Sequence, residues 1–107
     1  MFGKVTIGKH EVEMAANAAT PFRFTQIFGD DFMSEITTDL TDAKATTVFT
    51  RLAYVMACQA EKKDMSKCNE DTFVRWLEQF EFQDFVGALP EIAAIYAGTA
   101  KTNSDPK

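Results

Sequence analysis

Residues 4–14, where the fold begins, read Lys4-Val5-Thr6-Ile7-Gly8-Lys9-His10-Glu11-Val12-Glu13-Met14. Apolar and polar side chains alternate on both sides of the central Gly8-Lys9 pair, and this period of two is typical of half-buried β-strands. Glycine at the first position of a two-residue turn supplies the positive φ that a type II′ turn requires. The stretch therefore predicts an antiparallel hairpin over residues 3–15. Because an isolated hairpin is marginally stable in water, its apolar face is expected to pack on helices.

Downstream of the hairpin the apolar period changes from two to 3.6, which is typical of amphipathic helices. The pair Thr20-Pro21 predicts the start of the first helix, because threonine is a good N-cap and proline fits the first helical position. Gly29 suits the C′ position that ends this helix. A second, short helical segment is expected to follow it, ending at about Leu40.

The longest predicted helix covers residues 43–62, with Asp42 as its expected N-cap. Its C-terminal half is apolar nearly all round, which predicts a position at the centre of a small domain. Asn69 is the expected cap of the next helix, which carries apolar residues as far as Phe80. Two further segments are expected: a short helix from Phe82 to Leu89, interrupted at Gly87 and Pro90, and a last helix that starts at Pro90 and ends at Gly98.

These patterns predict one α+β domain, mainly α, in which the N-terminal β-hairpin packs on a bundle of about five helices. A chain of 107 residues has room for a single hydrophobic core. We therefore assign residues 1–98 to one globular domain. Residues 99–107 have no apolar period and are expected to form a flexible C-terminal tail.

Charge and hydropathy exclude several classes of partner. Sixteen acidic and eleven basic residues give a formal net charge of -5, and no Lys/Arg-rich stripe is present, so no nucleic-acid partner is expected. The sequence has no apolar run of 18 residues, so no membrane partner is expected either. The alternating N-terminus is unlike a signal peptide. A soluble, cytosolic protein is predicted.

Side chains suited to catalysis or metal binding are few and scattered. His10 is the one histidine, and it has no second His or Cys close to it in sequence. Cys58 and Cys68 are too few for a structural zinc site, which takes four ligands, and they are expected to be free thiols. Phosphate-binding and nucleophile motifs are absent. We expect no catalytic residue, no cofactor and no metal. An enzyme or metal protein that uses His10 and the two cysteines stays open as an alternative.

Phenylalanine is unusually frequent, with ten residues in the chain. Residues 73–89 hold nine large apolar side chains, including Trp76, which is expected in the core or at its edge. A short helix interrupted at Gly87 and Pro90 cannot bury all of them, so some are expected to form a surface for a partner. The candidate partner-binding residues are Phe80, Phe82, Phe85 and Leu89. Acidic neighbours would favour basic, amphipathic partners, and self-association through the same patch, giving a homo-oligomer, stays open.

Three stretches downstream of the hairpin carry a resemblance to a known family. They are Thr-Pro-Phe-Arg-Phe-Thr-Gln-Ile-Phe-Gly-Asp-Asp-Phe (residues 20–32), Asp-Thr-Phe-Val-Arg-Trp-Leu-Glu-Gln-Phe (residues 71–80) and Leu-Pro-Glu-Ile-Ala-Ala-Ile-Tyr (residues 89–96). With the hairpin before them and the long central helix between them, the chain resembles the small tail assembly chaperones of long-tailed, siphovirus-type phages and prophages of Gram-positive bacteria. The likeness extends over about residues 4–97.

The resemblance implies a non-enzymatic bacteriophage protein of the host cytoplasm. Members of that family bind the tape measure protein, whose long helical segments would otherwise aggregate, and help the tail tube protein polymerise around it during tail morphogenesis. They are absent from the finished virion, and a longer form is often made by ribosomal frameshifting near the end of the reading frame. A virion structural subunit, such as a head–tail connector or minor tail protein, stays open as the alternative.

Overall fold

The computed structural model describes residues 2–29 and 43–100 of the protein. In chain order the elements are β1 (Phe2–Ile7), β2 (His10–Ala15), α1 (Thr20–Phe28), α2 (Ala43–Ala60), a 3₁₀ turn (Met65–Lys67), α3 (Glu70–Leu77) and α4 (Phe82–Ala100). This part of the chain is a small α+β domain in which four helices accompany one hairpin, so the predicted class is confirmed. The predicted helix up to Leu40, the Asp42 cap and residues 101–107 lie outside the described residues.

The hairpin forms as the alternation predicts. β1 and β2 pair antiparallel, with Val5 opposite Val12. Gly8 has a φ of 62°, as the first position of the predicted turn requires. Val5, Ile7 and Met14 are buried, because β1 lies against α4 and β2 lies against α2. The hairpin is therefore one wall of the core.

Helix α2 lies at the centre of the domain, as its apolar C-terminal half predicts. Every residue from Leu52 to Cys58 is buried. The helix packs against the hairpin, α1, α3 and α4, so its whole circumference in this stretch faces protein. It ends at Ala60, two residues before the predicted boundary.

The C-terminus of α2 shows why the helix ends there. Lys62 adopts a left-handed conformation with a φ of 58°. Its N–H donates to the carbonyl of Gln59 at 3.1 Å, and the N–H of Lys63 donates to the carbonyl of Cys58 at 3.0 Å. These two bonds form a Schellman motif. Here a lysine occupies the position that glycine usually takes, so composition alone did not indicate this end.

The first helix begins differently from the prediction. Thr20 is not the N-cap but the first residue of α1, and it is fully buried. Its hydroxyl oxygen accepts a hydrogen bond from the N–H of Asn17 at 2.9 Å, so it closes the preceding turn instead of capping α1. The other end agrees with the prediction: Gly29 follows the helix with a left-handed φ of 81°.

The start of α3 is confirmed in detail. The Asn69 side-chain oxygen accepts a hydrogen bond from the N–H of Thr72 at 3.0 Å, and the Thr72 hydroxyl accepts one from the N–H of Asn69 at 2.8 Å. This reciprocal capping box satisfies two backbone donors that would otherwise be unpaired. The helix ends at Leu77, three residues short of Phe80.

The prediction of two helices after Phe82 is wrong, and residues 2–29 and 43–100 do not confirm the count of about five helices, since they hold four. A single helix, α4, continues through Pro90 and past Gly98 to Ala100. An interior proline costs about 3 kcal/mol, but Ile92 and Ile95, just beyond it, are buried in the core. Their burial offsets the lost hydrogen bond, so the chain does not break. Neither α4 nor any other helix in the described ranges has the length and hydropathy to cross a membrane.

Candidate partner-binding site

A connected set of aromatic rings runs from α1 through α2 and α3. The ring of Phe28 lies edge-on to Phe73, with 5.1 Å between centroids. Phe73 is in turn 5.6 Å from Tyr54, and Tyr54 is 5.4 Å from Trp76. Tilted and edge-to-face pairs of this kind add about 0.5–1.5 kcal/mol each to the area they bury. These rings therefore belong to the stabilising interior of the domain.

The same set continues from Trp76 into α4. Trp76 is half-buried, as predicted for a residue at the edge of the core. Its ring is 5.1 Å from Phe80 and 5.8 Å from Phe85, and those two rings are 5.6 Å apart. Three of the four phenylalanines in residues 73–89 thus pack against other rings, namely Phe73, Phe80 and Phe85.

The four candidate binding residues differ in exposure. Phe85 is buried, with 4% of its surface exposed, so its predicted place on the surface is corrected to the core. Phe80 and Leu89 are half-buried. Phe82 is 76% exposed. The sequence argument overestimates the exposed set because it assumes a short helix, whereas the long α4 turns Phe85 inward toward Trp76.

One exposed apolar residue was missed by the sequence prediction of the site. Val86 is 39% exposed and follows Phe82 by four residues on α4. Residues four apart share a helix face. The four-residue spacing between Phe82 and Val86 in the sequence therefore indicates that Val86 belongs to the same surface. Together they form an apolar strip on the outside of α4.

This strip borders a cleft between the end of α3 and the start of α4. The cleft has a volume of about 170 Å³ and is called the α3–α4 cleft below. Its lining residues are Thr50, Leu77, Phe80, Glu81, Phe82, Phe85 and Val86. Three of the four predicted residues are therefore brought together at one place, and Leu89 is not among the lining residues.

One of the three neighbouring acidic side chains lies at the apolar lining, whereas Asp84 lies beside Gly8 of the hairpin turn. Glu78, Glu81 and Asp84 are all exposed, and Glu81 itself lines the cleft. An apolar depression with a carboxylate at its rim favours an occupant that combines apolar side chains with positive charge. The chain's net charge of -5 has the same sign as this rim.

Two of the three residues considered for metal binding or catalysis, Cys58 and Cys68, contact each other. His10 is exposed and lies edge-on to the Phe80 ring at 5.2 Å, a packing contact. Cys58 and Cys68 are free thiols in contact with each other at 3.8 Å. In residues 2–29 and 43–100 no three side chains of the His, Cys, Asp and Glu types converge in a way that suits a metal ion.

No family model, curated protein or solved structure matches the chain.

Proposed function

We propose that the protein is a phage tail assembly chaperone, which binds an amphipathic helical segment of the tape measure protein in the α3–α4 cleft and brings tail tube protein to it. The observation that carries the proposal is the position of Phe82, a phenylalanine 76% exposed beside an apolar cleft. The same cleft has the acidic residue Glu81 in its lining. The resemblance of residues 4–97 to tail assembly chaperones supplies the identity of the partner.

The exposure of this ring favours a binding role. Keeping apolar surface in water forgoes roughly 25 cal/mol for every Å². Single exposed apolar residues are common and need no partner, but Phe82 and Val86 adjoin each other and continue into the lining of the cleft. A continuous apolar strip and depression provide the surface that an amphipathic helix covers with its own apolar face.

The negative charge at the cleft indicates which kind of helix would bind there. Glu81, which lines the cleft, would meet a Lys or Arg side chain that flanks the apolar face of a bound helix. Such exposed charge pairs contribute more to the rate and the specificity of association than to affinity. The proposed ligand is therefore a basic, amphipathic helix whose apolar side chains contact Phe82 and enter the cleft.

Co-expression with the tape measure protein tests this proposal. The gene for the tape measure protein is expected to be a very long reading frame directly downstream of the gene for this chain. The cleft variant Phe82→Ser/Val86→Ser is expected to lower the soluble yield of tape measure protein by about tenfold or more, because it removes the apolar contact of one large and one medium side chain. Soluble and pelleted fractions are compared by quantitative immunoblotting.

The control for this experiment is Phe22→Ser. Phe22 is also 76% exposed but lies on α1 and does not line the cleft. This variant is expected to keep the tape measure protein as soluble as the wild type does. If the cleft variant is folded and still protects the tape measure protein fully, the proposed site is wrong. If the wild-type chain is found in purified virions, it is a structural subunit and not a chaperone.

A further inference from the structure

The two cysteines, ten positions apart in the sequence, meet in the fold. Cys58 lies in the last turn and a half of α2 and is 2% exposed. Cys68 immediately precedes the Asn69 cap of α3 and is half-buried. Their Sγ atoms are 3.8 Å apart, which is van der Waals contact between two thiols. A disulfide needs the sulfurs at about 2.05 Å, so a shift of about 2 Å separates the contact from a bond.

We propose that Cys58 and Cys68 are a redox-active pair, which forms a reversible intramolecular disulfide when the folded protein meets a low-molecular-weight disulfide such as oxidised glutathione. This site is separate from the α3–α4 cleft and does not depend on the function proposed for it.

The surroundings of the two thiols determine which sulfur moves. Cys58 is fixed within the buried stretch of α2, and its carbonyl accepts the Schellman hydrogen bond from Lys63. Cys68 lies in the short connection between the 3₁₀ turn and α3, where its thiol also lies 3.7 Å from the carbonyl oxygen of Asp64. Because a connecting segment adjusts more easily than the interior of a packed helix, Cys68 is the partner that closes the gap.

A small oxidant has access to Cys68 and not to Cys58. A cleft of about 220 Å³ opens beside Cys68, and its lining residues are Tyr54, Lys63, Asp64, Lys67, Cys68 and Thr72. Lys63 and Lys67 outnumber Asp64 in this lining, and the resulting net positive charge attracts an anionic disulfide. Cys58 is not part of the lining. The first attack is therefore assigned to Cys68.

The reaction proceeds by two thiol–disulfide exchanges. The Cys68 thiolate attacks one sulfur of oxidised glutathione, which forms a mixed disulfide on Cys68 and releases one glutathione thiolate. Cys58 then loses its proton to solvent, and its thiolate attacks the Cys68 sulfur and releases the second glutathione thiolate. Two protein thiols are oxidised and one glutathione disulfide is reduced to two glutathione molecules.

The second exchange is the slower one. Burial raises the pKa of the Cys58 thiol from 9.0 to about 12, mainly because the thiolate would lose its hydration, while the neighbouring Tyr54 hydroxyl and Lys63 ammonium act in the opposite direction. Few Cys58 thiolates are present at neutral pH. The mixed disulfide on Cys68 is therefore expected as a transient species before the ring closes.

Mass spectrometry of the folded full-length chain, incubated with oxidised glutathione and analysed without reductant, tests the proposal. The wild type is expected to lose two hydrogen atoms, and trypsin is expected to release residues 52–62 joined to residues 68–75, since cleavage after Lys62 and Lys67 separates the two cysteines. The Cys58→Ala variant is expected to form a mixed disulfide with one glutathione on Cys68 and to react no further. Cys68→Ser is expected to stay unmodified while it is folded.

A second measurement distinguishes the effect of the folded contact on disulfide formation from the effect of the short sequence separation between the two cysteines. The equilibrium constant for ring closure against glutathione is expected to be at least about tenfold larger in the folded chain than in urea, because folding holds the two thiols together. An equal or smaller constant in the folded chain would overturn the proposal. So would a wild-type product that stays glutathionylated on Cys68, or one that is joined between two chains.

Discussion

Phe24→Ala is expected to lower the free energy of unfolding by about 3–5 kcal/mol, the usual cost of removing a fully buried phenylalanine ring. Phe24 is 0% exposed and belongs to the core that the hairpin and helices share. Its ring packs 5.3 Å from that of Phe28, so the substitution also removes one end of the aromatic set. Urea unfolding followed by circular dichroism measures the change.

Phe22→Ala is the matched control, because the same residue type lies two positions earlier on the same helix and is 76% exposed. Its unfolding free energy is expected to stay within about 0.5 kcal/mol of the wild type. Equal losses in the two variants would mean that α1 presents a different face to the core.

Phe85→Ser is the second large effect. The ring is 4% exposed and contacts both Trp76 and Phe80. We expect a loss of at least about 3–5 kcal/mol, since a cavity and a buried hydroxyl replace it. For a chain of this size the loss corresponds to a decrease in Tm of roughly 15 °C or more. Differential scanning calorimetry measures it.

Phe82→Ser tests the contrast between core and surface within one helix turn of α4. Phe82 is 76% exposed, so its substitution is expected to change the unfolding free energy by less than about 0.5 kcal/mol. A stable Phe85→Ser variant with an unchanged Tm would mean that Phe85 lies at the surface and belongs with the binding residues.

Local patterns in the sequence predicted the elements whose structure depends on neighbouring residues. The alternation around Gly8 gives the hairpin register, and Asn69 with Thr72 forms the start of α3. The buried stretch of α2 also follows from the apolar character of that helix. In each case the residues that determine the structure lie within a few positions of one another.

Predictions failed where distant parts of the chain decide the outcome. Pro90 is a strong local signal for a helix boundary, yet α4 continues because its inner face packs on β1 and α2. Phe85 is buried by Trp76, which lies on another helix. Thr20 turns toward Asn17 instead of capping α1. Packing between elements overrode the local preference at Pro90 and Phe85, whereas the Thr20 hydroxyl bonds to a turn residue only three positions away.

The residues of the candidate site were only partly predicted, because packing between helices also decides which side chains are exposed there. Phe80 and Phe82 were identified from the excess of apolar residues, and both line the α3–α4 cleft. Val86 was missed, although its spacing from Phe82 was visible. The contact between Cys58 and Cys68 depends on how the connection from α2 to α3 folds back, which no local pattern in the sequence indicates.

Fluorescence of Trp76 during titration with a basic amphipathic helical peptide from the tape measure protein measures binding in the α3–α4 cleft. Trp76 is the one tryptophan in the chain, and its ring contacts two residues that line the α3–α4 cleft. We predict a saturable change for the wild type and for Phe22→Ser, and an affinity about tenfold or more weaker for Phe82→Ser/Val86→Ser. Equal affinities for the two variants, or no saturable change in the wild type, would contradict binding in the α3–α4 cleft.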